Sequence, residues 1–423
     1  MKKPLLPVLI LFATVLVPSA LTQSKTYTDG ETHAGTLSTT GDITLTVDNT
    51  DAATQSGVIS GTGSLSKSGD GALTLSDTNT YSGGTTIAAG TLSIGADTAL
   101  GAAPGSYSGG HLTLNGGTLA TTATFEFAAN RGLTFGASGG TLAVASGTTL
   151  TYDNSITGNF TKSGEGTLAL THWNPIRYTD INIAAGTLDW STVGESSGFY
   201  SAQSGVISGA GNLIIGSDQF SGKQLHGANT YTGTTTIRVG LVDVLADSAF
   251  GTAPGIATPD HLIFDGGILR YGAAFTLNSN RGILLTANGG TIDTDGRTVS
   301  YGGIIAGSGS LTKINTCYLP LTGANTYSGG TVISGGTLVG TNSSLQGDIT
   351  NNSSVVFDQD SDGTFSGLIS GGGAFTKSGT GNLTLGSANT ISGITVINAG
   401  TLTLGHADAL QNSTITNATG LSF

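Results

Sequence analysis

The sequence predicts an all-β fold, an elongated parallel β-helix or β-solenoid. Glycine is abundant, with 69 in 423 residues, whereas only 9% of the residues are charged, against about 25% in an ordinary soluble domain. So few charges cannot solvate the exposed faces of many helices. Short alternating segments of Thr, Val, Ile and Leu between Gly, Asn and Ser turns indicate strands instead. Their tandem self-similarity favours a solenoid over a sandwich, because each unit is then buried by its neighbours.

The acidic composition and the single cysteine exclude several classes of protein. With 14 Lys and Arg against 26 Asp and Glu, the formal charge is -12, so no basic surface for nucleic acid or an anionic membrane is expected. Cys317 alone can neither close an intramolecular disulfide nor share a zinc site with another cysteine. Stability is therefore expected to come from packing and from backbone ladders.

Residues 1–22 are typical of a secretory signal peptide, with an approximate cleavage site at their end. Two lysines precede an apolar segment from Leu5 to Val17, and small residues suited to signal peptidase follow it. No later run of about 18 apolar residues exists, so no transmembrane span is expected after signal removal. The remainder, 23–423, is predicted to be a single exported solenoid.

One phrase, Asn-Thr-Tyr-Ser-Gly, recurs along the chain. It begins at Asn79, Asn229, Asn325 and Asn389, with Tyr81, Tyr231 and Tyr327 in the first three copies and Ile391 in the fourth. Alternating strands with the pattern Gly-Thr-Leu follow three of the copies. Asparagine tolerates the left-handed backbone conformation, and its side chain often hydrogen-bonds backbone groups close in sequence. We therefore expect these residues at turns, with their amides bonded to nearby backbone.

A second phrase, Ile-Ser-Gly, precedes the first. It begins at Ile59, Ile207 and Ile369, and the segment Lys-Ser-Gly-x-Gly occurs at Lys67, Lys162 and Lys377. This segment lacks the spacing and the following helix of a phosphate-binding loop, so a polar turn is predicted.

A longer duplication repeats at a constant spacing of 150 residues. Residues 96–105 correspond to 246–255, His111 to His261, and Arg131 to Arg281. If a turn takes about 20 to 25 residues and turns stack at roughly 4.8 Å, some 16 to 20 turns would form a rod about 80 to 95 Å long.

At these phrases the chain resembles the autotransporter-associated β-strand repeat, also called the passenger-associated transport repeat. The repeats and their glycine-rich leading halves cover roughly residues 57–100, 205–250, 303–345 and 367–410. The resemblance implies a right-handed β-helical passenger, exported through outer-membrane machinery and displayed or released at the surface of a Gram-negative type bacterium. Autotransporters of this family end in a membrane β-barrel, and the short segment after Leu410 cannot form one. We therefore expect export by another component, or a shortened passenger.

The most acidic loop offers a candidate metal site. Asp358, Asp360 and Asp362 alternate before Gly363, as in calcium loops, but Ile369 stands where such a loop places a bidentate glutamate. A loop of solvated carboxylates is the favoured interpretation, a weak calcium site is the alternative, and no other cofactor is expected.

An aromatic insertion near residues 172–200 interrupts the repeats. Trp173, Arg177, Tyr178 and Trp190 could stack on and hydrogen-bond a sugar ring, which makes them candidate glycan-binding residues. The favoured interpretation is an insertion loop that folds its aromatic side chains over the side of the solenoid, and glycan binding is the alternative.

The sequence contains no local catalytic motif, since no Gly-x-Ser-x-Gly elbow stands between a strand and a helix. The predicted function is that of an exported, non-catalytic surface passenger or stalk with a structural or adhesive role. Its expected partners are an extracellular polysaccharide or a host or cell surface. The alternatives are a carbohydrate-binding adhesin and a polysaccharide-degrading β-helix enzyme, which would need carboxylates brought together by the fold.

Overall fold

The chain forms a parallel β-solenoid of about 19 turns, which confirms the predicted fold class. A computed structural model describes residues 23–172, 175–191, 200–217, 222–416 and 421–422, and the predicted signal peptide lies outside them. The helical elements of the described ranges are two 3-10 helices, Asp97–Leu100 and Asp247–Phe250. The right-handed winding stays a prediction.

The strands of the described residues fall into six sheets. In order of pairing, one sheet contains Gln23–Tyr27, Ile43–Val47, Leu65–Ser68, Thr85–Ile87, Ser108–Leu114 and Arg131–Phe135. A second contains, in the same order of pairing, Thr32–His33, Ala52–Gln55, Ala72–Leu75, Thr91–Ile94, Thr118–Thr121, Thr141–Val144, Phe160–Ser163, Ile181–Ile183 and Ile207–Gly209. A third contains only Leu37–Thr39 and Ile59–Gly61.

The largest sheet runs through the middle of the molecule. It contains Phe125–Glu126, Thr149–Tyr152, Thr167–Leu170, Thr187–Trp190, Tyr200–Gln203, Asn212–Ile215, Gly222–Leu225, Thr235–Val244, Thr258–Tyr271, Arg281–Leu285, Gly290–Asp293, Ile305–Gly307, Leu311–Ile314, Thr331–Ile333, Ile349–Asn351, Ile369–Gly371 and Thr390–Ile391. The fifth sheet contains Tyr318–Pro320, Thr337–Gly340, Ser354–Asp358, Ala374–Ser378, Ile394–Ile397 and Thr414–Thr416. The sixth contains Gly363–Phe365, Asn382–Leu385, Thr401–Leu404 and Leu421–Ser422.

Parallel pairing stacks like residues over one another. Leu92 pairs with Leu119, which in turn pairs with Leu142, so one inward position is leucine in three consecutive turns. All three side chains are fully buried, and the strands alternate buried and partly exposed residues as the period of two requires. The inward Leu, Ile, Val and aromatic side chains form one continuous core along the rod.

Stacked glycines join the two recurring phrases. The second glycine of each Ile-x-Gly-x-Gly phrase lies directly under the glycine of the Asn phrase one turn later; the pairs are Gly63 with Gly83, Gly211 with Gly233, Gly309 with Gly329, and Gly373 with Gly393. A Cβ atom on the later glycine of each pair would collide with backbone atoms of the earlier one. The glycines are therefore required for close approach between turns, in addition to their role in turning the chain.

No helix in the described ranges combines the length and the apolar character needed to cross a membrane.

Candidate functional site

The asparagine that opens the repeated phrase binds the turns on both sides of it. Asn79 accepts a hydrogen bond from the backbone N–H of Ile59 through Oδ1 (2.7 Å) and donates one from Nδ2 to the carbonyl of Ala99 (2.6 Å). Each partner lies 20 residues away, in the preceding or the following turn. The expected bonding to nearby backbone is therefore wrong, because the amide connects three successive turns.

The same arrangement recurs in the other copies. Asn229 joins Ile207 to Ala249, and Asn325 joins Ile305 to Ser344, at distances of 2.6 to 2.8 Å. Asn389 accepts from Ile369 at 2.7 Å, but its buried Nδ2 has no hydrogen-bond partner among the described residues. The phrase tyrosines are also buried; Tyr81 and Tyr327 bond the hydroxyls of Thr85 and Thr331 at 2.7 and 2.8 Å, and Tyr231 bonds Thr235.

The lysines of the Lys-Ser-Gly segments are fully buried, contrary to the expected polar turn. The ammonium of Lys67 donates to the carbonyls of Ser68 and Gly69, both at 2.7 Å, and to Ala89 of the next turn at 3.4 Å. Lys162 and Lys377 make equivalent bonds, and so does Lys313, which opens the related segment Lys-Ile-Asn. The second residue after each lysine adopts a positive φ, which turns its carbonyl toward the ammonium; these residues are Gly69, Gly164, Asn315 and Gly379.

Burial sets the chemistry of these lysines. It lowers the pKa of Lys67, Lys162 and Lys313 to about 8, and that of Lys377 in the same direction. Their role is structural, because each ammonium is occupied by backbone oxygens of two turns.

We expect amine acetylation of the native protein to spare these four lysines. An N-hydroxysuccinimide ester at pH 8 should modify Lys25, whose side chain is 25% exposed, while Lys67, Lys162, Lys313 and Lys377 react only after denaturation. Peptide mass spectrometry of native and denatured samples measures this. Comparable modification of the four lysines in the native protein would contradict their placement inside the solenoid.

A buried arginine holds each 3-10 turn of the 150-residue duplication. The guanidinium of Arg281 pairs with Asp247 (Nε to Oδ1, 2.9 Å) and donates to the carbonyls of Phe250 (2.8 Å) and Gly251 (2.6 Å). Arg131 makes the same set of bonds to Asp97, Leu100 and Gly101 in the first copy. The arginine thus satisfies the last carbonyls of the 3-10 helix, which no helical N–H can reach.

A buried histidine accompanies each of these arginines. Nδ1 of His261 lies 3.4 Å from Nη1 of Arg281, and Nδ1 of His111 lies 3.1 Å from Nη1 of Arg131. The pKa of both imidazoles is lowered, mainly by burial and further by the neighbouring guanidinium. For His261 the pKa falls to about 4. Both rings are therefore neutral at pH 7.

This predicts a loss of stability in mild acid. Above pH 6.5 His261 is neutral in both the folded and the unfolded chain; between pH 6.5 and 4 only the unfolded chain binds the proton, so the free energy of unfolding falls as the pH falls. The expected loss is roughly 2 to 3 kcal/mol, measured by denaturant unfolding at pH 7 and pH 4. His261→Gln should reduce this pH dependence, and an unchanged pH dependence in that variant would contradict the account.

The acidic loop caps the next turn of the solenoid. Asp358, Asp360 and Asp362 are all exposed; Asp360 accepts from the backbone N–H of Thr380 (3.0 Å), and Asp362 from that of Asn382 (2.8 Å). Within the described ranges, no three or more His, Cys, Asp or Glu residues are arranged to hold a metal ion. Asp360 and Asp362 thus each use a carboxylate oxygen to bind the backbone of the next turn, and the calcium site stays a prediction.

Among the described residues of the aromatic insertion, the candidate side chains do not share a face. Trp190 is fully buried beneath the ammonium of Lys223, 4.7 Å from its ring centroid, so a sugar cannot reach it; this corrects the expectation for Trp190. Its place follows from strand alternation, since Leu188 two residues earlier also points inward. Tyr178 is 73% exposed with the guanidinium of Arg177 at 5.0 Å, and Trp173 lies outside the described residues.

Comparisons with known proteins agree with this architecture. The family model described as Passenger-associated-transport-repeat matches residues 65–94, 160–189, 224–244, 306–339 and 375–404. The chain is similar to the Adhesin BmaC autotransporter of Brucella suis biovar 1 (strain 1330), with 30% identity over 393 residues, covering 77% of this chain and 11% of the relative. The chain therefore spans about a tenth of that protein's length. No solved structure matches it significantly. The solenoid thus contains five matches to the passenger-associated transport repeat, and the chain is similar to a part of an autotransporter adhesin.

Proposed function

We propose that the chain is a non-catalytic passenger rod, exported by a Gram-negative bacterium, that adheres to a host or cell surface. The observation that carries this proposal is the use of the repeated polar residues inside the fold. Asn79, Lys67 and Arg131 make their side-chain hydrogen bonds inside the solenoid, to groups of their own turn and of neighbouring turns. Such residues stiffen a rod and leave its long sides as the surface for contact with a partner.

Two further features support a surface role. The relative is named an adhesin, and the present chain corresponds to about 11% of it. Five of the lysines, Lys67, Lys162, Lys223, Lys313 and Lys377, are buried, so few lysine cleavage sites face a trypsin-like protease. A rod with this property suits an extracellular environment.

Surface display tests the adhesive role. The chain would be displayed on a non-adherent Gram-negative host, and bacteria attached to cultured epithelial cells would be counted after washing. We expect attachment to rise at least about tenfold over bacteria that carry the empty display vehicle. Attachment equal to that control, with display verified by antibody, would contradict the proposed adhesion.

A second candidate is glycan binding at the exposed Arg177 and Tyr178. An exposed aromatic face beside a guanidinium suits stacking on a sugar ring with hydrogen bonds to its hydroxyls. We expect Tyr178→Ala to abolish retention on a polysaccharide column, whereas Tyr318→Ala, at a tyrosine 53% exposed elsewhere, should leave retention unchanged. Equal retention of both variants would remove this candidate, and shortening of the polysaccharide in the same assay would favour the enzymatic alternative.

A further inference from the structure

An open groove of about 520 Å³ lies on the flank of the solenoid, along the second sheet. Its lining comes from five successive turns, from Gly116 in the first to Ser208 in the last. Since turns stack at roughly 4.8 Å, the groove extends about 19 Å along the rod. Its volume is in the range of ligand sites, and its long axis crosses the strands instead of following them.

A row of polar side chains runs along this groove. Parallel pairing places Thr141 beside Thr161, Thr161 beside Asn182, and Asn182 beside Ser208. Thr141 and Thr161 are partly exposed and Asn182 is exposed, and among the described residues no hydrogen bond engages the polar atoms of these three side chains. Each turn therefore presents a donor and an acceptor, repeated at the spacing of the turns.

A second row of lining residues is held in place by hydrogen bonds. Oδ1 of Asn159 accepts from the backbone N–H of Asp180 (2.9 Å), and Oδ1 of Asp180 accepts from that of Val206 (2.7 Å). Oδ2 of Asp180 lies 3.4 Å from Nδ2 of Asn159 and keeps lone pairs for a ligand. Val206 is 39% exposed and adds an apolar side chain to this row. Because the carboxylate is already fixed, a ligand pays little entropy to order it.

The lining distinguishes between classes of ligand. Asp180 is the charged residue of the described lining, so a polyanion is repelled. A peptide that adds as a strand needs unpaired backbone groups, but the strands of Thr141, Thr161 and Asn182 are paired on both sides. Neutral sugar hydroxyls both donate and accept, as the two rows require. One unit of an extended β-1,4-linked polysaccharide is about as long as one turn of the solenoid is thick, so successive units meet successive turns.

The duplicated part of the chain shows that this lining is not required by the fold. Counted turn by turn from the equivalent of Thr141, the corresponding row is Thr291, Thr312, Val332 and Thr350. Val332 thus takes the place of Asn182, and Gly330 takes that of Asp180. The turns stack equally well with an apolar residue and a glycine at these positions. The amide and the carboxylate are therefore particular to the groove.

We propose that the groove binds a neutral β-1,4-linked polysaccharide that lies along the rod, with one sugar unit on each turn. Asn182 and Asp180 hydrogen-bond the hydroxyls of one unit, Thr161 and Ser208 bond those of its two neighbours, and Val206 packs on the apolar face of a ring. This inference names the chemical class of the partner in the proposed adhesive function and rests on that function.

Isothermal titration calorimetry of the purified full chain tests the proposal. The probes are cellotetraose, mannotetraose and chitotetraose, each with its disaccharide, and tetragalacturonate serves as the anionic control. We expect saturable binding of at least one neutral tetraose. Its disaccharide should bind at least about tenfold more weakly, because it reaches two turns and makes fewer hydrogen bonds. Tetragalacturonate should bind more weakly than that tetraose.

Substitutions at equivalent positions locate the binding. Thr161→Val should weaken it at least about threefold, whereas Thr312→Val, the matched change in the duplicated part, should leave it unchanged. Asn182→Val, which copies Val332, should weaken it at least about fivefold. Asn182→Trp, at an exposed position, fills the groove and should abolish binding. Thermal unfolding by circular dichroism verifies that each variant is folded.

Four results would overturn the proposal. They are no saturable binding of any of the three tetraoses, equal affinities for the tetraose and its disaccharide, unchanged affinity in the folded Asn182→Trp variant, or tighter binding of tetragalacturonate. Loss of binding in Tyr178→Ala together with full binding in Asn182→Trp would place the glycan at the aromatic insertion instead. Because the titration uses the purified chain, failed attachment in the display experiment with intact binding here would contradict only the adhesive role.

Discussion

Replacing Asn325 with leucine is expected to lower the free energy of unfolding by about 2 to 5 kcal/mol. The variant leaves two buried backbone groups without partners, the N–H of Ile305 and the carbonyl of Ser344. Each such group costs about 1 to 3 kcal/mol when its partner is removed. Denaturant unfolding measures the total, and hydrogen exchange should show the loosening concentrated in the neighbouring turns, because each turn contacts mainly the next.

Asn389→Leu is the matched control for this prediction. Asn389 makes the same bond to Ile369, but its Nδ2 is buried without a partner among the described residues. Its replacement removes one bond and also removes an unsatisfied donor, so the loss should be less than half of that for Asn325. Equal losses in the two variants would show that side-chain volume, and not the bridging hydrogen bonds, sets the effect.

Replacing Arg281 with methionine is expected to cost about 3 to 5 kcal/mol. The fully buried guanidinium pairs with Asp247 and satisfies the carbonyls of Phe250 and Gly251. Methionine fills much of the same volume, but it leaves these carbonyls and the carboxylate without their donor. Thermal unfolding followed by circular dichroism measures the change.

Arg238→Met is the control for the arginine prediction. Its side chain is 40% exposed and pairs with Asp189 at 3.1 Å, so solvent screens the interaction and a loss below about 1 kcal/mol is expected. If the Arg281 variant were as stable as the Arg238 variant, the buried arginine would not be needed to hold the 3-10 turn.

The repeated phrases were sufficient to predict the fold, because parallel stacking depends on short alternating strands and tandem similarity. Two features of the interior were also readable from strand alternation. Lys67 lies two residues after Leu65, and Trp190 lies two residues after Leu188. Residues two apart on a strand point to the same face, so both side chains point into the core with the leucines. The predictions of a turn for the lysine and of a surface position for the tryptophan were wrong, because alternate residues of a strand point inward.

Other contacts could not be predicted, because they depend on the length of each turn. The amide of Asn79 reaches Ile59 across 20 residues, and this requires that the Asn phrase stack directly on the Ile-Ser-Gly phrase. Arg281 reaches Asp247 across 34 residues, past the long loop that follows the 3-10 helix. Turn lengths vary along the chain, so the sequence indicated that these residues recur without indicating which backbone groups they meet.

Hydrogen exchange of individual amides in the unmodified protein tests the central claim, that asparagine side chains bind successive turns together. The amides of Ile59, Ile207 and Ile305 donate to asparagine Oδ1 atoms. The account predicts that these three amides exchange as slowly as the ladder amides of the adjacent strands. Exchange at the rate of an unstructured chain, with the ladders still protected, would contradict it.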